Sequence, residues 1–350
     1  MPSNSYEPSY NANLKLTQRA SKTPNKVIKT QKNMKLANKE EYKLANIKYF
    51  VDNDKNLVYN IDGDKKKVQT LLIKNLKKNR KINIKNIRPP KQCGNNCWFN
   101  VLFLCYFISD QGRKFTKPLR LSMITGDYDK ELVNKANYTK LTDALFMFNL
   151  GIEGALNGSS FASDVNTNEI ITNIYKSINI PEHWTYHKGY GNPLVYYEGL
   201  INFLYTKTGS PVAFYYLTPY IKYSIADQYT VNVSKFPHII VIELIDDQST
   251  MVDSRKTRIT LTSQDGKEKA KYRLDSVCIR DVNQTHVGCL ITLNKSGYLF
   301  DADGPLQKRM KPLNWNNEKF LNHDQHFSLG SDYSRFNMRK GYQILYYYRY

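Results

Sequence analysis

The stretch KQCGNNCWFN, Lys91–Asn100, holds two cysteines four residues apart, and the apolar run VLFLCYFI starts immediately after it. Such a pair suits half a metal clamp, two thiols in a core, or a nucleophile at the start of a helix. A cysteine in the first helical turn faces unpaired backbone N–H groups and the positive end of the dipole, both of which favour thiolate. Gly94 permits a tight entry to that helix, and Asn95 or Asn96 supplies a capping side chain. Gln92, five residues before Cys97, brings an amide N–H₂ to where an oxyanion would form beside the Cys97 N–H. Free cysteines are more commonly small buried hydrophobes, so Cys97 alone decides nothing.

A thiol nucleophile needs a base, and the base needs a group to orient it. There are six histidines. His183 and His187 fall in a Tyr- and Gly-rich loop and His323 and His326 in a polar one; their spacings lack a third ligand, and solvated loop residues are the simpler reading. His238 opens a strand, as a structural histidine would. His286 precedes the strand VGCLITL, a turn at Asn294–Gly297 follows, and YLFDAD returns antiparallel. That hairpin brings Asp301 back beside His286, with Asp303 on the same strand face as the competing orienter. A carboxylate there fixes the imidazole tautomer and stabilises imidazolium. Taken alone, a surface hairpin with two turn aspartates is the better reading.

Together these residues resemble the ubiquitin-specific proteases, a papain-like class of deubiquitinating cysteine proteases, in a divergent form similar to those of large DNA viruses. The family's Cys box is matched by Gly94-Asn95-Asn96-Cys97-Trp98-Phe99-Asn100. Its late strand is matched by Tyr272, Leu274, Ser276 and Val277, and its acid-bearing strand by Tyr298, Phe300 and Asp301. The closing strand is echoed by Gly341-Tyr342-Gln343-Ile344-Leu345-Tyr346. FPHIIVIEL and GNPLVYYEGLINFLY stand where the family has a strand and a helix of its own. The resemblance covers residues 88–350 and implies Cys97 as nucleophile, His286 as general base and then acid, Asp301 as orienter and Gln92 as oxyanion donor. It implies ubiquitin, a ubiquitin-like protein or a conjugate of either as partner, with no metal and no cofactor. Asn96, Thr285, Val287 and Ala302 depart from the family pattern, as does the unpolar GNPLVYYEGLINFLY helix. The Cys-x-x-Cys zinc fingers are missing. Substrate therefore transfers less well than chemistry: processing of a viral polyprotein, or a catalytically idle binding module, are the competing functions.

The elements that must carry these groups read as an α+β chain. The resemblance implies a papain-like fold, with a helical, thumb-like part over 89–210 and an antiparallel, palm-like β part over 211–350. Helical patterns cover Cys97–Asp110, closed near Gly112, then Tyr138–Leu156, Asn168–Ile178 and Pro193–Tyr205. Seven short β-branched or aromatic runs follow, from SPVAFYYL to GYQILYYYRY. Residues 1–40 read as a basic disordered arm. Residues 41–88 read as a basic segment with a small hairpin turning at Asn53-Asp54, and Pro89-Pro90 marks a domain edge.

Of the net charge of +20, residues 1–90 contribute +14 through 21 Lys/Arg against 7 Asp/Glu. That arm predicts weak, non-specific nucleic-acid binding. Five cysteines and no apolar leader predict reduced thiols in an intracellular protein of the host cytoplasm or a virion. No apolar run reaches the length of a membrane span, so membrane insertion is not expected.

Overall fold

A computed structural model of the chain describes residues 39–44, 47–52, 57–58, 65–78, 82–92, 94–158, 167–178, 186–187, 190–191, 193–205, 214–217, 236–244, 255–263, 265–283, 286–302, 309–328 and 335–350. Three strands come first: β1 (Lys39–Leu44), β2 (Ile47–Asp52) and β3 (Leu57–Val58). The helices α1 (Lys65–Lys77), α2 (Cys97–Phe107), α3 (Gly112–Phe115), α4 (Lys117–Thr125), α5 (Tyr138–Asn157) and α6 (Thr167–Ser177) follow. After the ribbon β4 (Tyr186–His187) and β5 (Tyr190–Gly191) comes α7 (Pro193–Tyr205). The main strands are β6 (Phe214–Leu217), β7 (Ile239–Leu244), β8 (Arg258–Thr262), β9 (Lys269–Arg280), β10 (Val287–Leu293), β11 (Ser296–Phe300) and β12 (Met310–Pro312). The short α8 (Glu318–Asn322), the ribbon β13 (His326–Phe327) with β14 (Phe336–Asn337), and β15 (Gln343–Arg349) complete the chain. After the three-stranded ribbon at the start, helices thus precede a largely antiparallel main sheet. No described helix is long and apolar enough to cross a membrane.

Every residue of α2 is buried. A helix that is apolar on all sides must be enclosed on all sides, and α2 runs between the sheet and the other helices. Phe99 meets Phe148 of α5 and Tyr197 of α7, each with ring centroids 5.3 Å apart, while Tyr106 meets Tyr346 of β15 at 5.0 Å. The opposite sheet face packs a second cluster that includes Trp315, Leu321, Phe336 and Met338. The sheet is therefore dry on both faces over much of its area.

Its strand order is β12-β11-β10-β9-β15-β7-β6, with β8 also paired to β9. The long β9 organises it: β15 lies along one side, while β8 and β10 share the other, β8 against Lys269–Arg273 and β10 against Ser276–Arg280. Two expectations need correction. The sheet is not wholly antiparallel, because β6 joins β7 in parallel; the chain between Leu217 and Ile239 is long enough for the crossover that parallel pairing requires. Nor does the first helix run to Asp110 and close at Gly112. It ends at Phe107, and Gly112 opens α3. Gly112 is small for a packing reason: a Cβ there would lie 2.3 Å from the Cys105 carbonyl oxygen.

The basic segment before the double proline also holds more order than its composition suggests. Its β-rich part is three strands, β1 pairing β2 and β2 pairing β3; residues 53 and 54 lie outside the described residues. Helix α1 then buries Val68, Leu72 and Leu76, a stripe at four-residue spacing, in the same core as α2. Pro89 and Pro90 are themselves buried.

Candidate active site

Helix α2 and strand β10 start at the same end of the molecule and are clamped together at the other. Asp110, just past α2, accepts the backbone N–H groups of Asn294 and Lys295 at 3.0 and 2.8 Å, and its own N–H donates to the Thr292 carbonyl at 2.8 Å. Asn294 and Lys295 form the two-residue β10–β11 turn, both with positive φ (47° and 68°), the backbone that matches hairpin twist. This tie sets the helix register against the strand. At the near end it leaves Cys97 in the first turn of α2, facing His286, the residue before β10.

His286 is fully buried, and its Nε2 lies 2.5 Å from Asp301 Oδ1. Asp281 brackets the histidine backbone, its carboxylate accepting the His286 N–H at 3.0 Å and its N–H donating to the His286 carbonyl at 2.8 Å. Burial pushes the imidazole towards neutrality. The charge and hydrogen bond of Asp301 and the adjacent Cys97 thiol outweigh that push and hold its pKa well above the ordinary value. Nδ1 itself closes no hydrogen bond, so the thiol is within interaction range of the ring without being locked to it. The cysteine is 1 % exposed, so in this conformation the thiol is closed to a protein substrate.

The loop ahead of Cys97 is stitched to the strand that carries the acid. The Asp301 N–H donates to the Arg309 carbonyl at 2.8 Å, the Arg309 guanidinium donates to the Pro89 carbonyl at 3.2 Å, and the Gln92 N–H reaches the Ala302 carbonyl at 3.4 Å. Gly94 has φ +66°, the conformation that the tight entry demands. Gln92 is buried, and its Nε2 donates to the Gly94 carbonyl at 3.1 Å. One of its two amide hydrogens is thereby committed within the loop.

Asn96 does not cap the helix with its side chain. Its Nδ2 instead donates to Thr167 Oγ1 at 2.5 Å, and Thr167 Oγ1 donates to Asn100 Oδ1 at 3.3 Å. Asn100 Nδ2 in turn holds the Lys91 carbonyl at 3.1 Å. This network ties α6 to both sides of Cys97. Asn100 was visible within the Cys box without an assigned task. Thr167 carried no signal in the sequence, since the link spans 67 positions.

Cys105, Cys278 and Cys289 are buried free thiols, and Cys278 and Cys289 oppose each other across β9 and β10. Burial pushes both of these thiols well above the ordinary range. Cys93, Asp303, His183 and Thr285 lie outside the described residues, as does the His187 side chain. His323 and His326 are exposed, and His238 is half-buried before β7 with its ring 6.0 Å from that of Phe115. Among the described residues, no three His, Cys, Asp or Glu side chains gather as a metal site requires.

No family model and no curated protein matches the chain. Among solved structures, a SAGA DUB module of Ubp8, Sgf11, Sus1 and Sgf73 is similar at 10 % identity and a TM-score of 0.47, over 86 % of this chain and 80 % of that one. The same module bound to monoubiquitin gives 9 % and 0.47 over the same shares. A third structure of the module gives 9 % and 0.45.

Proposed function

We propose that the chain is a cysteine hydrolase of the ubiquitin-specific protease type, cutting the peptide or isopeptide bond at the C-terminus of ubiquitin or a ubiquitin-like modifier. In this reading Cys97 is the nucleophile, His286 the general base and then acid, and Asp301 the orienter. The carrying observation is the order Asp301–His286–Cys97: Nε2 is taken by the carboxylate, which leaves Nδ1, free of any hydrogen bond, for the thiol. The helix bearing the cysteine packs against β10, which His286 precedes, and β11, which pairs β10, leads into Asp301.

The step follows from those positions. Nδ1 takes the Cys97 proton as sulfur bonds to the carbonyl carbon, and the imidazolium hands that proton to the leaving amine as the C–N bond breaks. Water, deprotonated by the same ring, then releases the acyl group from the thioester. The developing oxyanion is met by the Cys97 N–H, one of the orphan donors of the first turn, and by the second amide hydrogen of Gln92. Because the thiol is buried, the residues above it move aside before a substrate tail enters.

Full-length protein incubated with ubiquitin carrying a C-terminal electrophile should gain one ubiquitin in mass, and Cys97→Ala should abolish the product. An adduct that persists in the folded Cys97→Ala protein places the nucleophile elsewhere. An adduct with an electrophilic ubiquitin-like modifier alone keeps the chemistry and changes the substrate. No adduct with any such modifier overturns the proposal.

A further inference from the structure

We propose that the end of the sheet remote from Cys97 is a binding groove for single-stranded nucleic acid. The groove has a volume of about 570 Å³ and is lined by Phe236, Lys269, Lys271, Arg349 and Tyr350, with Glu268 the single acid among the described lining residues. It sits at the start of β9, whereas His286 follows the end of that strand. Eleven steps of extended chain separate Lys269 from Arg280, roughly 35 Å, so the groove is a separate site from the thiol.

Two features select the ligand. The first is cationic spacing. Lys269 and Lys271 are exposed and alternate with buried Ala270 and Tyr272, so both ammonium groups leave the same sheet face about 7 Å apart. A stretched nucleic-acid backbone spaces successive phosphates similarly, and among the described residues neither lysine stands in a salt bridge. Arg273 continues the row. The second is an aromatic platform: Tyr350 is 55 % exposed, and the Arg273 guanidinium lies 4.8 Å from its ring centroid. Phosphate-tracking cations beside an open aromatic face are how sequence-tolerant single-strand binders work. An acidic peptide fits less well. An extended peptide docks by pairing with a strand edge; β8 takes one edge of β9 from Lys269 to Arg273, and on the other edge β15 pairs as far as Tyr272, with the Tyr350 N–H on the Lys271 carbonyl.

The test measures anisotropy of a fluorescein-labelled oligothymidylate of about twenty nucleotides with the full-length protein, across a salt series. Lys269→Glu with Lys271→Glu should weaken binding tenfold or more at low salt and lower the log–log salt slope by about 1.4, the loss of two phosphate contacts on a single strand. Tyr350→Ala should weaken it several-fold with the slope unchanged. If the double variant binds as the parent does, the basic N-terminal arm carries the affinity and the groove is not the site. If a glutamate-rich peptide competes as well as the oligonucleotide, and Tyr350→Ala has no effect, the surface reads charge alone and the proposal fails. Lys269→Gln with Lys271→Gln, which avoids charge reversal, repeats the test should the first variant lose its folded circular dichroism. Both variants should react with the ubiquitin electrophile at the parental rate, a readout independent of binding.

Discussion

The two ends of β9 were built under opposite rules. At the His286 end the strand is covered on both faces, and Asp281, Asp301 and Asn100 each meet a named hydrogen-bond partner. At the Lys269 end exposed and buried residues alternate, and the cations face water. Burial makes a polar group expensive unless it is paired, and once paired it becomes strong and directional. The dry end therefore suits proton transfer, where one charge must act on one neighbour. The wet end suits long-range attraction, which salt can tune.

The largest effect that separates the ends should come from Asp301→Asn. The amide keeps the shape but loses the charge, and it can hold the ring in the wrong tautomer. Cleavage of a ubiquitin C-terminal fluorogenic substrate should fall by up to about 10⁴, the loss that the same orienter change gives in a Ser-His-Asp relay. The pH profile should move as well. In the parent, burial lowers the His286 pKa, while Asp301 and Cys97 raise it by more and hold it well above the ordinary value. Without the carboxylate charge burial gains ground, so the base stays neutral to lower pH and the acid limb of the rate profile shifts to lower pH. A rate within twofold of the parent would remove Asp301 from the mechanism.

A smaller effect belongs to the middle of the strand, where the two environments meet. Asp275 is buried, its Oδ2 accepts the Gln111 N–H at 3.0 Å, and burial lifts its pKa from 3.8 to about 6. The folded state therefore binds the proton more tightly than the unfolded chain. The stability this supplies is fully present below the unfolded pKa and is lost as pH rises through about 6. Denaturant unfolding should show about 1 kcal/mol gained from this group between about pH 7.5 and pH 5, rising towards about 3 kcal/mol near pH 3. Asp275→Asn should flatten that component. An unchanged pH slope in the variant would mean that the carboxyl is better solvated than its burial implies.

The dry end was the more legible half of this molecule, and the reason is local chemistry. Cys97 announces itself through Gly94 and the apolar run behind it, and Asp301 through a hairpin whose two-residue turn fixes which residues come back together. The strands from β7 to β11 were readable because β-branched runs stop at turn residues. What stayed hidden depends on distant partners. Helix α1 hides within a lysine-rich stretch because its apolar stripe is just Val68, Leu72 and Leu76, and its burial comes from a core assembled later in the chain. The parallel placement of β6 depends on a crossover that leaves no local pattern. Gly112 reads as a helix stop, although its smallness serves the carbonyls of the preceding turn. The groove at Lys269 leaves no local pattern, because its residues come from three separate segments.

The smallest effect is the one that most sharply distinguishes the ends. Thr167→Val keeps the volume of a buried side chain and removes one hydroxyl, leaving the Asn96 amide and the Asn100 carbonyl oxygen without the bonds that Thr167 supplies. Stranding buried polar groups costs about 1–3 kcal/mol, so unfolding should occur at correspondingly lower denaturant. Thr167→Ser restores the hydroxyl and should recover most of the loss. The same network steadies the loop that aims Cys97, so the valine variant should also react more slowly with the ubiquitin electrophile, at a temperature where both proteins are folded. Removing a side chain from the other end, as in Lys269→Ala, should leave stability within about 0.5 kcal/mol of the parent, because no buried group depends on it. Equal losses at the two ends would erase the contrast, since a polar group would then matter equally whether it is paired inside or solvated outside.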